Sequence, residues 1–249
     1  MQTLRSGRAL PSRGRILVEA MRLPRTLEPE VMDTEEEARD YDSMDHADVN
    51  ARFCDDFLAH HPPLGQVLDV GTGTALIPIE LCRRVAGVSV HAIDLASSML
   101  ASARRNLERA GLVERVHIEK GDAKSTRWSD GAFDAVISNS LVHHVPDPAR
   151  ALREMYRLVR PGGVLFIRDL ARPENVEQLR CIVDRYAPLG DSADPIVGAV
   201  IERQRKLFEA SLHAALTFDE VVDCVAALGV PRGAVRLTSD RHWTLAHVI

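Results

Sequence analysis

A glycine-rich turn follows an apolar segment in the first third of the chain, with the sequence Asp69-Val70-Gly71-Thr72-Gly73-Thr74-Ala75. The residues before it are typical of a buried strand, and the pattern of residues 76–85 predicts a helix after it. Such a turn can bind a nucleotide-like ligand, because glycines let the ligand approach the backbone and the helix start offers free N–H groups. The turn alone does not say which nucleotide.

Two further acids stand where apolar segments end. Asp94 closes the segment 88–93, and Asp122 follows the segment 116–119 within Gly121-Asp122-Ala123. A carboxylate with two free oxygens suits a pair of ribose hydroxyls, which makes Asp94 a candidate ligand-binding residue. The alternative is that both acids are helix caps or solvated loop residues. Their matching positions at the ends of strands favour binding.

A pair of histidines follows the next apolar segment, in Asn139-Ser140-Leu141-Val142-His143-His144. Histidine titrates near neutral pH and can act as a general base, so His143 and His144 are the candidate catalytic residues, with a slight preference for His143. The alternative gives both rings a structural role, with their nitrogens bonded to the backbone.

Strands and helices alternate around these residues at the spacing of βαβ units. Strands are predicted at 67–70, 88–94, 116–119, 133–138 and 164–168, the last of them introduced by Pro161-Gly162-Gly163, with helices at 76–85, 97–110 and 149–159. This alternation predicts an α/β fold with a parallel sheet covered by helices on both faces. Two further helices, at 173–186 and 195–212, interrupt it before a last helix and two last strands.

The composition limits the classes of function. The chain has 249 residues and a formal net charge of −5, which argue for one sizeable domain and against a chain-wide nucleic-acid surface. No apolar run is long enough to span a bilayer. The four cysteines have no metal-binding spacing, so no metal is predicted, and reduced cysteines indicate a cytoplasmic protein.

The two ends of the chain carry the least information. Residues 1–27 are rich in arginine and are interpreted as a flexible basic arm, and residues 28–249 as a single domain. Within that domain, the acidic segment 28–48 is a candidate N-terminal lid, because Tyr41 and His46 stand among its acids and could pack over a ligand. The helical insertion 172–213, with Tyr186, is the other candidate lid.

Taken together and in this order, the motifs resemble the class I S-adenosylmethionine-dependent methyltransferases, in the branch that acts on small molecules. The likeness rests on the glycine turn, Asp94, Asp122 and the Pro161-Gly162-Gly163 turn. It implies a Rossmann-like, doubly wound, mostly parallel seven-stranded sheet with an antiparallel last strand. Ala75 departs from the family, which commonly has a third glycine there.

The resemblance also implies roles for individual residues. Asp69 would face the cofactor's ammonium group, Asp94 would accept its ribose hydroxyls, and Asp122 would accept the adenine amino group. The remaining implied cofactor contacts are Gly71, Thr72 and Gly73 at the methionine half, Leu95 and Met99 beside the adenine, the backbone of Ala123, and Asn139 and Ser140 near the sulfonium. Tyr41, His46 and Tyr186 would contact the acceptor.

Two other functions fit parts of the sequence. A nicotinamide-dependent oxidoreductase is disfavoured because its Gly-x-Gly-x-x-Gly pattern would place a glycine where Leu76 stands. A protein that binds the cofactor without catalysis, as a partner subunit, stays open. The segment after the fourth strand lacks the Asn/Asp-Pro-Pro-aromatic motif of enzymes that methylate base amino groups. We therefore expect a small-molecule acceptor, no nucleic-acid or membrane partner, and a monomer or homodimer.

Overall fold

The computed structural model describes residues 22–31, 33–34, 36, 47–190 and 195–249. The strands are β1 (Gln66–Val70), β2 (Ser89–Asp94), β3 (Val116–Lys120), β4 (Phe133–Asn139), β5 (Val159–Leu170), β6 (Val235–Leu237) and β7 (His242–Val248). The described helices are α1 (Ala47–Leu58), α2 (Leu76–Arg84), α3 (Ser97–Ala110), α4 (Pro148–Leu158), α5 (Val176–Tyr186), α6 (Pro195–Ala214) and α7 (Phe218–Ala226).

The seven strands form one sheet in the order β3-β2-β1-β4-β5-β7-β6. β1 to β5 are mutually parallel, whereas β7 runs antiparallel to both of its neighbours, β5 and β6. The strand order reverses at β1 and β4, and in open α/β sheets this switch point is where the carboxyl ends of the strands leave a crevice for a ligand. The predicted fold is confirmed.

Helices cover both faces of the sheet, and each face has its own apolar core. On one face, α1, α2 and α3 pack their buried side chains against the strands, and Phe53 and Phe57 of α1 contact Phe166 of β5. On the other face, α4 and α7 do the same, with Leu152 and Val221 fully buried. Burial of each such side chain stabilises the fold by about 1.5–3 kcal/mol.

A third, smaller core joins the inserted helices to the amino-terminal segment. It contains Leu23 together with buried residues of α5 and the end of α6. The Leu23 N–H donates to the Glu174 carbonyl at 3.0 Å, and the Thr26 N–H donates to the His213 carbonyl at 3.1 Å. The boundary predicted at residue 27 therefore does not separate residues 23–26 from the domain. Residues 1–21, the rest of the predicted arm, lie outside the described residues.

Membrane-spanning segments were not predicted, and within the described ranges no helix is long and apolar enough to cross a bilayer.

The turn Pro161-Gly162-Gly163 lies inside β5, where pairing with β4 shifts register between Phe133 and Ala135. A Cβ added to Gly163 would lie 2.5 Å from the Asp134 carbonyl oxygen and 2.9 Å from that of Arg160. Because both are backbone atoms, neither can move away cheaply.

We expect Gly163→Ala to lower the free energy of unfolding by about 2 kcal/mol, since overpacking here displaces the β4–β5 ladder. Urea denaturation measures this change. Gly233→Ala is the control, because a Cβ there meets no described atom within 4 Å. A Gly163→Ala protein as stable as the control would contradict the argument.

Candidate active site

A cleft opens at the carboxyl ends of β1 to β4, and most of the residues predicted to bind the cofactor line it. These are Gly71, Gly73, Asp94, Leu95, Met99, Asp122, Ala123, Asn139 and Ser140. Asp69 and Thr72 lie behind this wall and are buried. The parallel strands bring these residues together because their carboxyl ends meet at one edge of the sheet.

The glycine turn wraps around the end of β2. The N–H groups of Gly71 and Thr72 both donate to the Ile93 carbonyl at 2.9 Å. Gly71 and Gly73 have left-handed backbone angles, with φ of 75° and 54°. Ala75 also has a left-handed φ, 63°, immediately before α2 begins. The alanine therefore occupies a backbone conformation that favours glycine, which explains why the family commonly has glycine there.

Asp94 binds the turn from the end of β2. Its Oδ2 accepts the Gly73 N–H at 2.8 Å, and its Oδ1 accepts the Ala96 N–H at 2.9 Å. Burial raises the pKa of the Asp94 carboxyl, although these N–H donors oppose the shift. Each oxygen has a second lone pair, so the carboxylate can hold the turn and still accept two hydroxyls from the cleft.

Asp69 is a buried acid with an incomplete set of hydrogen bonds. Its side chain is almost inaccessible, and Oδ2 has no partner among the described residues. Burial raises the pKa of Asp69 to about 7, an effect that the nearby Thr72 hydroxyl partly offsets and the Asp94 charge increases. A buried carboxyl oxygen without a partner destabilises the fold unless a hydrogen-bond donor or a cation pairs with it.

Asp122 is held by Lys124, a residue that the sequence analysis did not select. The Lys124 N–H donates to Asp122 Oδ1 at 2.8 Å, and Lys124 Nζ lies 3.0 Å from the same oxygen. Burial opposes the effect, but these contacts hold the pKa of Asp122 below its usual value. Lys124 Nζ also pairs with Glu30, which lines the cleft beside Val31. Only the position of Lys124 beside the Asp122 motif could have indicated its role.

The end of β4 forms the inner wall of the cleft. Ser140 has a φ of 55°, a left-handed angle that is uncommon for serine, and its N–H donates to the Arg168 carbonyl at 2.9 Å. This turn directs the chain from Asn139 into a short 3-10 helix, Val142–His144. Unusual backbone angles of this kind concentrate at functional sites.

The two histidines have different surroundings. His143 is buried, its Nδ1 lies 2.5 Å from Asp169 Oδ1, and it does not line the cleft. Burial disfavours its charged form, but the Asp169 carboxylate raises the pKa of His143 above its usual value. His144 lines the cleft, and burial together with the adjacent His143 lowers its pKa to about 3. The structure thus places His144, rather than the preferred His143, at the cleft surface.

Glu28 approaches the same histidines. One possible ligand atom of each of Glu28, His143 and His144 lies within 4.8 Å of the others. Arg25 donates from Nη2 to the His143 and Val145 carbonyls at 3.2 and 3.1 Å, which places a fixed positive charge beside the group. That charge disfavours a metal cation here.

Of the three residues predicted to contact the methyl acceptor, the structure describes Tyr186. Tyr41 and His46 lie outside the described residues. Tyr186 lines a second cavity, which shares Asn139 and Ser140 with the cleft and so meets it at the end of β4.

Comparisons with known proteins agree with this geometry. Residues 68–167 match the family model described as a methyltransferase domain. The chain is 31% identical over 123 residues to the ubiquinone/menaquinone biosynthesis C-methyltransferase UbiE of Pectobacterium atrosepticum, a match covering 49% of each chain. It is 39% identical over 110 residues to the phosphatidylethanolamine N-methyltransferase of Cereibacter sphaeroides, covering 43% of this chain and 52% of that one. The chain thus spans about half the length of these curated relatives.

Solved structures show the same fold over most of the chain. A putative S-adenosylmethionine-dependent methyltransferase from Methanococcus maripaludis superposes with a TM-score of 0.65 at 19% identity, covering 88% of this chain and 95% of that one. A methyltransferase from Aquifex aeolicus gives a TM-score of 0.62 at 19% identity, with coverage of 87% and 99%. The family resemblance seen in the motifs is confirmed for residues 68–167, the part of the chain that matches the methyltransferase domain model.

Proposed function

We propose that this protein transfers a methyl group from S-adenosylmethionine to a small-molecule acceptor and releases S-adenosylhomocysteine. The observation that carries the proposal is the convergence of the glycine turn, Asp94 and Asp122 on one cleft at the switch point of the sheet. Each of these features alone is common in nucleotide-binding folds, whereas the set in this order is characteristic of the family.

The residues of the cleft fit this cofactor chemically. Asp69 offers a buried carboxyl oxygen without a partner among the described residues, which suits an ammonium group. Gly71 lines the cleft, and its φ of 75° is a backbone angle that favours glycine. Asp94 can accept ribose hydroxyls, and Met99 and Leu95 offer apolar walls for the adenine ring.

When bound, S-adenosylmethionine would supply a methyl carbon that the acceptor's nucleophile attacks directly, with the sulfur leaving as the thioether of S-adenosylhomocysteine. The residues of this chain then need only align the acceptor and exclude water. Asn139 and Ser140 lie where the two cavities meet, so we assign them the alignment of the acceptor with the cofactor.

We assign the histidines to positioning and contact. His143 and Asp169 connect the segment after β4 to the end of β5, because Asp169 also accepts the His143 and Val142 N–H groups. His144 presents a neutral ring to the cleft. A general base works best with a pKa near the working pH, and the pKa of His144, about 3, is far below it. The proposed reaction therefore uses an acceptor that is already nucleophilic or is deprotonated elsewhere.

The acceptor and the cellular setting are also proposals. Relatives named for quinone and phosphatidylethanolamine methylation support a small molecule in preference to a nucleic acid. Four free cysteines support a reducing, cytoplasmic setting. We propose a monomer or homodimer.

Calorimetry with S-adenosylhomocysteine and with NAD tests the cofactor. We expect the first to bind and the second not to bind. Binding of NAD alone would favour the oxidoreductase alternative. Binding of S-adenosylhomocysteine without turnover of any acceptor would favour a non-catalytic partner protein.

The carboxyl of Asp69 predicts how cofactor binding depends on pH. Its pKa is about 7, and only the ionised form attracts an ammonium group, so a proton must leave Asp69 when the ligand binds below that pH. We expect the affinity for S-adenosylhomocysteine to rise about tenfold per pH unit up to about pH 7 and then level off. Calorimetry between pH 5.5 and 7.5 measures this, and Asp69→Asn should abolish the slope. The same slope in both proteins would reject the assignment.

A further inference from the structure

The second cavity adjoins the cofactor cleft at the end of β4. It has a volume of about 230 Å³ and shares Asn139 and Ser140 with the cleft. A molecule in this cavity would therefore lie next to the point at which the two spaces meet. Its wall includes three arginines, Arg52, Arg168 and Arg241.

The guanidinium of Arg241 lies over the ring of Tyr186 and near that of Phe208. Its Cζ lies 3.7 Å from the centroid of the Tyr186 ring and 5.5 Å from that of Phe208. Burial lowers the pKa of Arg241, although Tyr186 and Asp240 oppose this. Stacking on Tyr186 restricts the guanidinium, and no described residue accepts a hydrogen bond from its N–H groups, so they can bind an anionic ligand at two points.

Asp240, the acid next to Arg241 in the sequence, already accepts hydrogen bonds from two other side chains. Asp240 Oδ2 accepts from Arg185 Nη1 at 2.5 Å, and Asp240 Oδ1 accepts from the Tyr186 hydroxyl at 2.8 Å. The second of these bonds also holds the ring on which Arg241 stacks. Across the parts of the chain that the structure describes, Arg241 forms no ion pair.

Arg168, a buried arginine of the cavity wall, is already paired with an acid. Arg168 Nη2 donates to Asp56 Oδ2 at 2.6 Å, and Arg168 Nε donates to Thr244 Oγ1 at 3.0 Å. Arg52, in contrast, is exposed at the rim, and Asp48 is an exposed acid there. Arg241 thus stands out as a half-buried cation that lines the cavity and forms no ion pair with any described residue.

We propose that this cavity is the acceptor site and that the guanidinium of Arg241 binds a carboxylate or phosphate group of the methyl acceptor. The acceptor is then an anionic small molecule, and Arg241 determines specificity. A partly desolvated cation without an ion pair is costly, and an anionic ligand reduces that cost. This proposal rests on the proposed function, because it places the anion beside the methyl-transfer point.

Paired probes test the charge preference. The anionic probes are benzoate and phenyl phosphate, and their neutral counterparts are benzamide and phenol. Each probe is titrated into the free protein and into the protein saturated with S-adenosylhomocysteine. Ligand-observed NMR reports binding. We expect at least one anion to bind about tenfold or more tightly than its neutral counterpart. The comparison of benzoate with phenyl phosphate identifies which anionic group fits.

Variants of Arg241 test the assignment. We expect Arg241→Ala to weaken anion binding roughly 10- to 100-fold, and Arg241→Lys to give an intermediate loss, because lysine keeps the charge without the planar fork. Arg236→Ala is the matched control, since Arg236 is an exposed arginine of β6 outside the cavity. The Arg241 variants and the control should all bind S-adenosylhomocysteine within about twofold of the wild-type affinity. If Arg241→Ala does not fold, the comparison of Arg241→Lys with wild type carries the test.

Three results would overturn the proposal: equal binding of anionic and neutral probes, no binding of any probe, or unchanged anion affinity in the Arg241 variants. Failure of S-adenosylhomocysteine to bind would instead reject the proposed function, and the titrations of the free protein would still report on the anion site.

Discussion

Replacing Asp94 by alanine is expected to weaken the binding of S-adenosylhomocysteine by at least about 100-fold. Two hydrogen bonds to a charged acceptor are lost, each contributing about 1.5–3 kcal/mol. The substitution also removes the acceptor for the Gly73 and Ala96 N–H groups, so the glycine turn loses its connection to the end of β2. Isothermal titration calorimetry measures the change directly.

Two further variants separate these contributions. Asp94→Asn keeps the shape and one oxygen of the side chain, so it should give an intermediate loss. Asp130→Ala removes an exposed carboxylate that contacts Arg157 at 2.7 Å and does not line the cleft, so it should leave affinity unchanged. An Asp94→Ala protein that binds within about threefold of wild type would remove the ribose assignment, because about 0.7 kcal/mol is less than one such hydrogen bond.

Gly71→Ala is the second substitution with a large expected effect. An added Cβ would lie 2.8 Å from both δ-carbons of Leu141, and the φ of 75° disfavours any side chain. We expect the free energy of unfolding to fall by about 2–4 kcal/mol from the combined strain and overpacking. Because Leu141 lines the same cleft, its displacement should also weaken S-adenosylhomocysteine binding by more than about tenfold.

Gly111→Ala is the matched control for this experiment. Gly111 caps α3 with a φ of 68°, and an added Cβ meets no described atom within 4 Å. It therefore carries the backbone strain without the collision, and should cost only about 1 kcal/mol of stability. Its ligand affinity should equal that of wild type. Equal losses of stability and affinity in both variants would show that the contact with Leu141 has no special role.

Much of the fold was predictable because its signals are local. The strand–helix alternation and the acids at strand ends follow from residue periodicity within short segments. The predicted fold is confirmed, and so is the family resemblance over residues 68–167. The extent of β5 was less predictable, because residues 159–163 join the strand through an irregular register that only pairing with β4 defines.

The sequence by itself determined the parallel sheet and the order of the cofactor motifs, since each depends on residues close together in the chain. Only the tertiary structure decided which histidine reaches the cleft, because that depends on Asp169, 26 residues further on. It also brought Lys124 to Glu30 and stacked Arg241 on Tyr186. Such contacts join side chains far apart in sequence, and their formation depends on how helices and loops pack around the sheet, which no local pattern encodes.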